Sequence, residues 1–151
     1  MNKISAALLI SLILIASPLA AQAPPINVLV SGIELCPQFI CNYAVFAGSF
    51  HGQVGFNPNA TGIVSTAVQH GELPNVEGGT TPISYGGVWE LKTLFRRISG
   101  VVTGGIIEYA GNNKFQVTIE LTILNGGSGN LTFNGFLDHN PTIPEFGGTL
   151  N

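Results

Sequence analysis

Residues 98–139, ISGVVTGGIIEYAGNNKFQVTIELTILNGGSGNLTFNGFLDH, hold three apolar runs separated by two turn signals. Ile98–Tyr109, Phe115–Leu124 and Leu131–His139 read as strands, because apolar residues recur at alternate positions. Gly111-Asn112-Asn113 and Asn125-Gly126-Gly127-Ser128-Gly129 lie between them, and both are rich in residues that accept tight turns. Requiring the apolar side chains to share one face sets a register. A three-residue turn at 111–113 places Tyr109 opposite Phe115, Ile107 opposite Val117, Gly105 opposite Ile119 and Val101 opposite Ile123. A five-residue loop at 125–129 places Ile123 opposite Leu131, Leu121 opposite Phe133, Ile119 opposite Gly135 and Val117 opposite Leu137. Both hairpins then bury the same face.

In that register Ile119 is flanked by Gly105 and Gly135, a row that bends a sheet or leaves room for a large neighbour. Trp89, the only tryptophan, lies on Val88–Leu94 and is expected over Gly105 if its hairpin turns around Phe95–Arg97. Phe46–Val54, Ile63–His70 and Ile26–Val30 are further strands, and Gly-Gly pairs begin at 78, 86, 104, 126 and 147 without a fixed period. About eight short antiparallel strands predict an all-β fold, a small closed β-barrel with a β-sandwich as the alternative. A transmembrane barrel calls for longer strands, of about 9–11 residues, and aromatic girdles.

The N-terminus has a different character. Met1-Asn2-Lys3 precedes an apolar run from Ile4 to Ala16, and Ala21-Gln22-Ala23 supplies small residues at cleavage spacing. This is the layout of a cleaved secretory signal peptide over 1–23, cut after Ala21 or Ala23. The run is interrupted by Pro18 and is short of the ~20 residues of a membrane span. The expectation is one exported domain over 24–151, secreted, periplasmic or at the cell surface, with no stable membrane span after cleavage.

Beyond residue 23 only Lys92, Arg96, Arg97 and Lys114 oppose eight carboxylates, and charged residues make up 9% of the chain. No basic stripe is present, which argues against nucleic-acid partners. Cys36 and Cys41 read as a structural disulfide, since an exported chain meets an oxidising compartment. An extended chain would hold their Cα atoms roughly 16 Å apart, against the ~4.4–6.8 Å of a disulfide, so the chain must turn near Pro37.

Residues with chemistry are few. Glu108–Gln116–Asp138 and Gly104–Glu120–Asn134 form polar cross-strand rows, read as a solvated outer face. On the apolar face Tyr109, Phe115 and His139 form a row at one end of the barrel, where a small apolar ligand could be held, and Trp89 is the fourth candidate. His51 and His70 lie on other strands, so no metal site is expected, and no motif calls for a cofactor. Asn59-Ala60-Thr61 and Asn130-Leu131-Thr132 match the N-glycosylation pattern.

The chain end, Gly135-Phe136-Leu137-Asp138-His139 through Pro144 to Gly147-Gly148-Thr149-Leu150, resembles the close of small exported bacterial β-barrel proteins. At a distance the part beyond residue 23 resembles allene-oxide-cyclase-like and dirigent-like barrels. The resemblance implies a fold and carries no catalytic residue. Three functions fit this reading. The first is an exported non-catalytic module that binds a small apolar ligand or serves at the cell surface. The second is a self-associating assembly subunit that exchanges the strand Ile26–Val30. The third is a cofactor-free isomerase or cyclase acting in the lumen, with Tyr109 and His139 as its polar groups.

Overall fold

A computed structural model describes residues 25–36 and 42–151. The proposed signal peptide and Cys41 lie outside the described residues, and Cys36 directly follows the first strand. Among the described residues nine strands run in chain order: β1 Ile26–Leu35, β2 Tyr43–Val54, β3 Asn57–Gln69, β4 Thr80–Pro82, β5 Val88–Lys92, β6 Arg97–Gly111, β7 Lys114–Asn125, β8 Gly129–Asp138 and β9 Glu145–Leu150. Every ladder is antiparallel. The order β6-β5-β3-β2-β1-β9-β8-β7 closes through the β6–β7 pairing into an eight-stranded barrel, and β4 pairs with β6 beyond the end of β5. The barrel, not the sandwich, is the architecture.

Eight strands enclose a lumen just wide enough for side chains to fill. Inward positions are apolar on every wall: Val28 and Val30 on β1, Phe46 and Phe50 on β2, Trp89 and Leu91 on β5, Ile119 and Leu121 on β7, Phe133 and Leu137 on β8. Transmembrane barrels have a polar lumen instead. Strand length does not separate the two cases, because β1, β2 and β3 reach 10, 12 and 13 residues, longer than the sequence suggested. β3 extends back past Pro58 because the β2–β3 ladder is irregular there, which frees the proline from its missing N–H.

Two register expectations are corrected. On β6 the pairings of Gly105, Ile107 and Tyr109 hold, but Val101 faces Thr122 instead of Ile123, because Val102 faces Leu121 and Gly104 faces Glu120, leaving Thr103 unpaired in a bulge. A bulge reverses the alternation, so Ile98, Gly100 and Val102 point inward and Val101 does not. Between β7 and β8 the register is displaced by two residues. Ile123 faces Gly129, Leu121 faces Leu131, Ile119 faces Phe133, Val117 faces Gly135 and Phe115 faces Leu137. A two-residue displacement preserves the buried face, so side-chain alternation alone could not detect it. The polar rows become Glu108–Gln116–Phe136 and Gly104–Glu120–Thr132. Trp89 faces Gly100 rather than Gly105, because the β5–β6 ladder closes at Lys92–Arg97.

The segment Ile26–Val30 is paired on both edges, with β2 along its whole length and with β9 from Val28. Strand exchange would have to break one of these ladders, and the closed barrel offers no free edge beside β1.

Glycines stand where inward aromatics need room. Gly32 pairs with Gly48 and Gly135 with Gly148. A Cβ on Gly32 would come within 2.7 Å of the Phe146 ring, and one on Gly148 within 2.8 Å of Phe133. Gly48 is tighter still: its Cβ would run into Ser31 O and lie 2.7 Å from Gly32 Cα. A Cβ on Gly104 would meet only Glu120 Oε2, 3.5 Å away at the end of a flexible side chain. Gly48→Ala is therefore expected to lower stability by about 1–3 kcal/mol through overpacking, while Gly104→Ala leaves the thermal midpoint nearly unchanged. Paired melting curves of the two variants check this.

Candidate functional site

β1 continues its alternation past Val30, through Gly32 to Glu34, and so directs a carboxylate inward at the end of the barrel. The same end gathers the close of β3, the strand β4, the close of β6, the start of β7 and the exit from β8. All three buried polar side chains among the described residues lie here: Glu34 at 2% exposure, His70 at 4% and Thr81 at 5%. Elsewhere the described core is apolar.

Glu34 Oε2 accepts a hydrogen bond from His139 Nε2 at 2.8 Å. The Glu34 side chain is fully enclosed, whereas His139 remains partly open to solvent. Glu34 Oε1 has no hydrogen-bond partner among the described residues. Removing a carboxylate from water costs several kcal/mol unless its lone pairs are satisfied, and one of its two oxygens is not. His139 is held in place by its backbone N–H, which donates to Asn113 O at 2.9 Å. That carbonyl belongs to a tight turn in which Asn112 and Asn113 both have positive φ, the geometry that two-residue hairpins favour.

Aromatic rings stand beside the imidazole. Phe115 meets Tyr109 edge-on at 5.3 Å between centroids and His139 at 5.1 Å, within the range of favourable ring contacts. The Tyr109 hydroxyl accepts a long hydrogen bond from Asn113 N at 3.4 Å. His70 donates from Nδ1 to Gly71 O at 2.6 Å, and Gly71 leaves room for Thr81 Oγ1, which a Cβ there would approach to 2.8 Å. A hydrogen-bonded carboxylate and imidazole beside two aromatic faces can bind a donor group, and can also exchange a proton with it.

Three of the four residues named from the sequence thus come together, although by a different route. His139 does not extend the Tyr109–Phe115 row in register, because Leu137 occupies that place. It reaches the cluster from just beyond β8. Trp89 does not join them. Its partner on β6, Gly100, precedes Tyr109 by nine residues, about 30 Å of strand. The indole is buried, donates from Nε1 to Thr122 O at 3.2 Å, and lines an apolar cavity with Val30, Phe46, Ile119, Leu121 and Phe133. That cavity offers about 40 Å³, room for a few waters and far short of the ~300 Å³ of a small-molecule site.

Sequence reading passed over Glu34 and left His70 unassigned. The signal for Glu34 was present: extending the strand Ile26–Val30 by four residues puts it on the inward face. His51 is exposed on the outer face of β2. Glu108 and Glu120 are exposed, in agreement with a solvated face. Asp138 sits opposite Lys114 and pairs with it at 3.1 Å. The Asn140 backbone N–H, followed by the Lys114 ammonium, holds its carboxyl below the ordinary range, outweighing the opposing effect of burial. Comparison of the chain with protein-family models, with curated proteins and with solved structures returns no match, so function has to be derived from this geometry.

Loss of the His139 partner leaves the buried Glu34 carboxylate without a hydrogen-bond partner among the described residues on either oxygen. His139→Ala is expected to fold with stability reduced by about 1–3 kcal/mol, and the double variant Glu34→Leu/His139→Leu to recover most of it, read by denaturant titration. The Asp138 contribution has the sign of a lowered carboxyl. It is present above the ordinary pKa of 3.8 and disappears as pH falls through the lower folded-state value. Asp138→Asn should therefore reduce the thermal midpoint at neutral pH, and the difference from wild type should shrink in strong acid.

Proposed function

We propose that this protein is an exported, non-catalytic barrel module that binds a small ligand at the mouth formed by Glu34, Tyr109, Phe115 and His139. The ligand class is an apolar body bearing one N–H or O–H donor. The observation that carries this reading is the enclosed Glu34 Oε1, an acceptor without a partner among the described residues. A donor head there would offset part of the desolvation of the carboxylate, while the rings of Tyr109 and Phe115 take the apolar body. The packed lumen favours the mouth over the barrel centre, since the inner cavity is too small for more than a few atoms. Export rests on the N-terminal segment Met1–Ala23 and on the resemblance of the chain end to small exported bacterial barrels.

A second reading is favoured by one contact. The Glu34–His139 hydrogen bond at 2.8 Å is a minimal acid–base couple, which a cofactor-free isomerase needs. Turnover of a bound ligand, abolished in Glu34→Gln, would select that reading over simple binding.

The binding proposal is tested by NMR titration with phenol, indole and toluene. Phenol and indole are expected to shift the His139 and Tyr109 ring signals saturably, with toluene at least several-fold weaker. Glu34→Leu should remove the preference for the donors. Equal responses to all three probes, or none to any, would overturn it.

A further inference from the structure

The two ends of the barrel carry opposite charge. Six of the eight carboxylates, Glu34, Glu72, Glu77, Glu108, Asp138 and Glu145, lie at or beside the mouth end, where Lys114 is the only lysine or arginine among the described residues. Three of the four basic residues of the described chain, Lys92, Arg96 and Arg97, lie at the opposite end, all on the β5–β6 hairpin. Glu90 pairs with Arg97 and is the one carboxylate on that hairpin.

The tip of this hairpin is apolar. Leu94 is 86% exposed and Phe95 is 93% exposed, and on the β2–β3 turn at the same end Phe56 is fully exposed. Ile63, paired with Lys92, and Leu124, near the end of β7, are exposed as well. Single exposed apolar residues are ordinary on a protein surface, whereas a group of them rimmed by one sign of charge marks an interaction site.

The tip is also built rather than loose. Thr93 Oγ1 accepts hydrogen bonds from Phe95 N at 3.3 Å and from Arg96 N at 2.9 Å, and Thr93 N donates to Arg96 O at 2.8 Å. The Arg96 guanidinium donates to Gly126 O at 2.8 Å, tying the hairpin to the β7–β8 turn. These bonds hold Leu94 and Phe95 outward in advance, so little ordering cost is left for binding.

We infer that this end of the barrel docks on anionic lipid surfaces, with Leu94 and Phe95 entering the headgroup boundary and Lys92 and Arg96 facing the lipid phosphates. Aromatic and aliphatic side chains rimmed by cations are the chemistry of interfacial membrane contact. The charge polarity orients the molecule: the acidic end is repelled, so the mouth faces away from the membrane and stays open to solvent. The inference stands apart from the ligand-binding proposal, since the two sites share no residue.

The test is co-sedimentation of the purified protein, its N-terminus established by mass spectrometry, with two kinds of vesicle. One is phosphatidylcholine alone; the other contains about one-third phosphatidylglycerol. Binding to the anionic vesicles is expected, with little to the neutral ones and a several-fold loss when salt is raised to about 0.5 M. Leu94→Ser/Phe95→Ser should weaken binding by about tenfold or more, and Lys92→Gln should weaken it less. Tyr85→Ser, which removes an exposed aromatic side chain away from the β5–β6 hairpin, should leave binding unchanged. Circular dichroism and melting curves confirm the fold of each variant. No binding to anionic vesicles, equal binding to neutral ones, or undiminished binding by Leu94→Ser/Phe95→Ser overturns the inference. Capture by a soluble anionic polymer without vesicle binding also overturns it, by showing a polyanion site instead.

Discussion

The fit between inward aromatic rings and inward glycines is the constraint on which the rest of the structure depends. A lumen bounded by eight strands has a limited volume, and this chain puts Phe46, Phe50, Trp89, Phe133 and Phe146 into it. They are accommodated because glycines face them from the walls. Gly62 lies against the Phe50 ring, Gly100 against Trp89, Gly32 against Phe146, and Gly135 and Gly148 against Phe133. The rings also meet one another edge-on, Phe46 with Phe146 at 5.3 Å and Phe133 with Phe146 at 6.3 Å. Dense packing of this kind tolerates neither an added methyl group nor a lost ring without cost. It also leaves little room for a ligand in the middle.

Filling the centre moves any chemistry to the ends. Between the mouth and the far end the inward positions are occupied by hydrocarbon, and the buried polar side chains of the described residues collect at the mouth. Strand ends are where a barrel can spare an inward position from packing, since a side chain there has core on one side only. Glu34 uses such a position. Among the described residues its one side-chain hydrogen bond comes from a histidine 105 residues away in the chain, which the barrel brings close by laying β9 between β1 and β8.

The ends differ from each other in what they present. Both expose apolar side chains, Leu35, Tyr43 and Val76 at the mouth and Phe56, Leu94 and Phe95 at the far end, but those at the mouth stand beside buried polar groups in an acidic rim and those at the far end among cations. A barrel separates these roles because alternate connections open at opposite ends, so that the β5–β6, β2–β3 and β7–β8 turns share one end. The described surface carries few charges, so their placement shapes its field more than their number does.

Alternation in the amino-acid sequence by itself determined that this chain forms strands, which side chains most of them bury, and where the C-terminal hairpins turn. Those are local properties: side-chain period and turn chemistry act within a few residues. It also brought Tyr109, Phe115 and His139 to one end. Tertiary structure decided what local pattern leaves degenerate. A register moved by two residues buries the same face, so alternation leaves open that Phe133 stands opposite Ile119. The Thr103 bulge reverses the face of β6 midway, because Val102 and Ile107 must both point inward on one strand while separated by an odd number of residues. Glu34 was legible as an inward position but not as a site. What makes it a candidate is its enclosure, its bond to His139 and an oxygen without a partner among the described residues, and these depend on contacts between residues far apart in the chain.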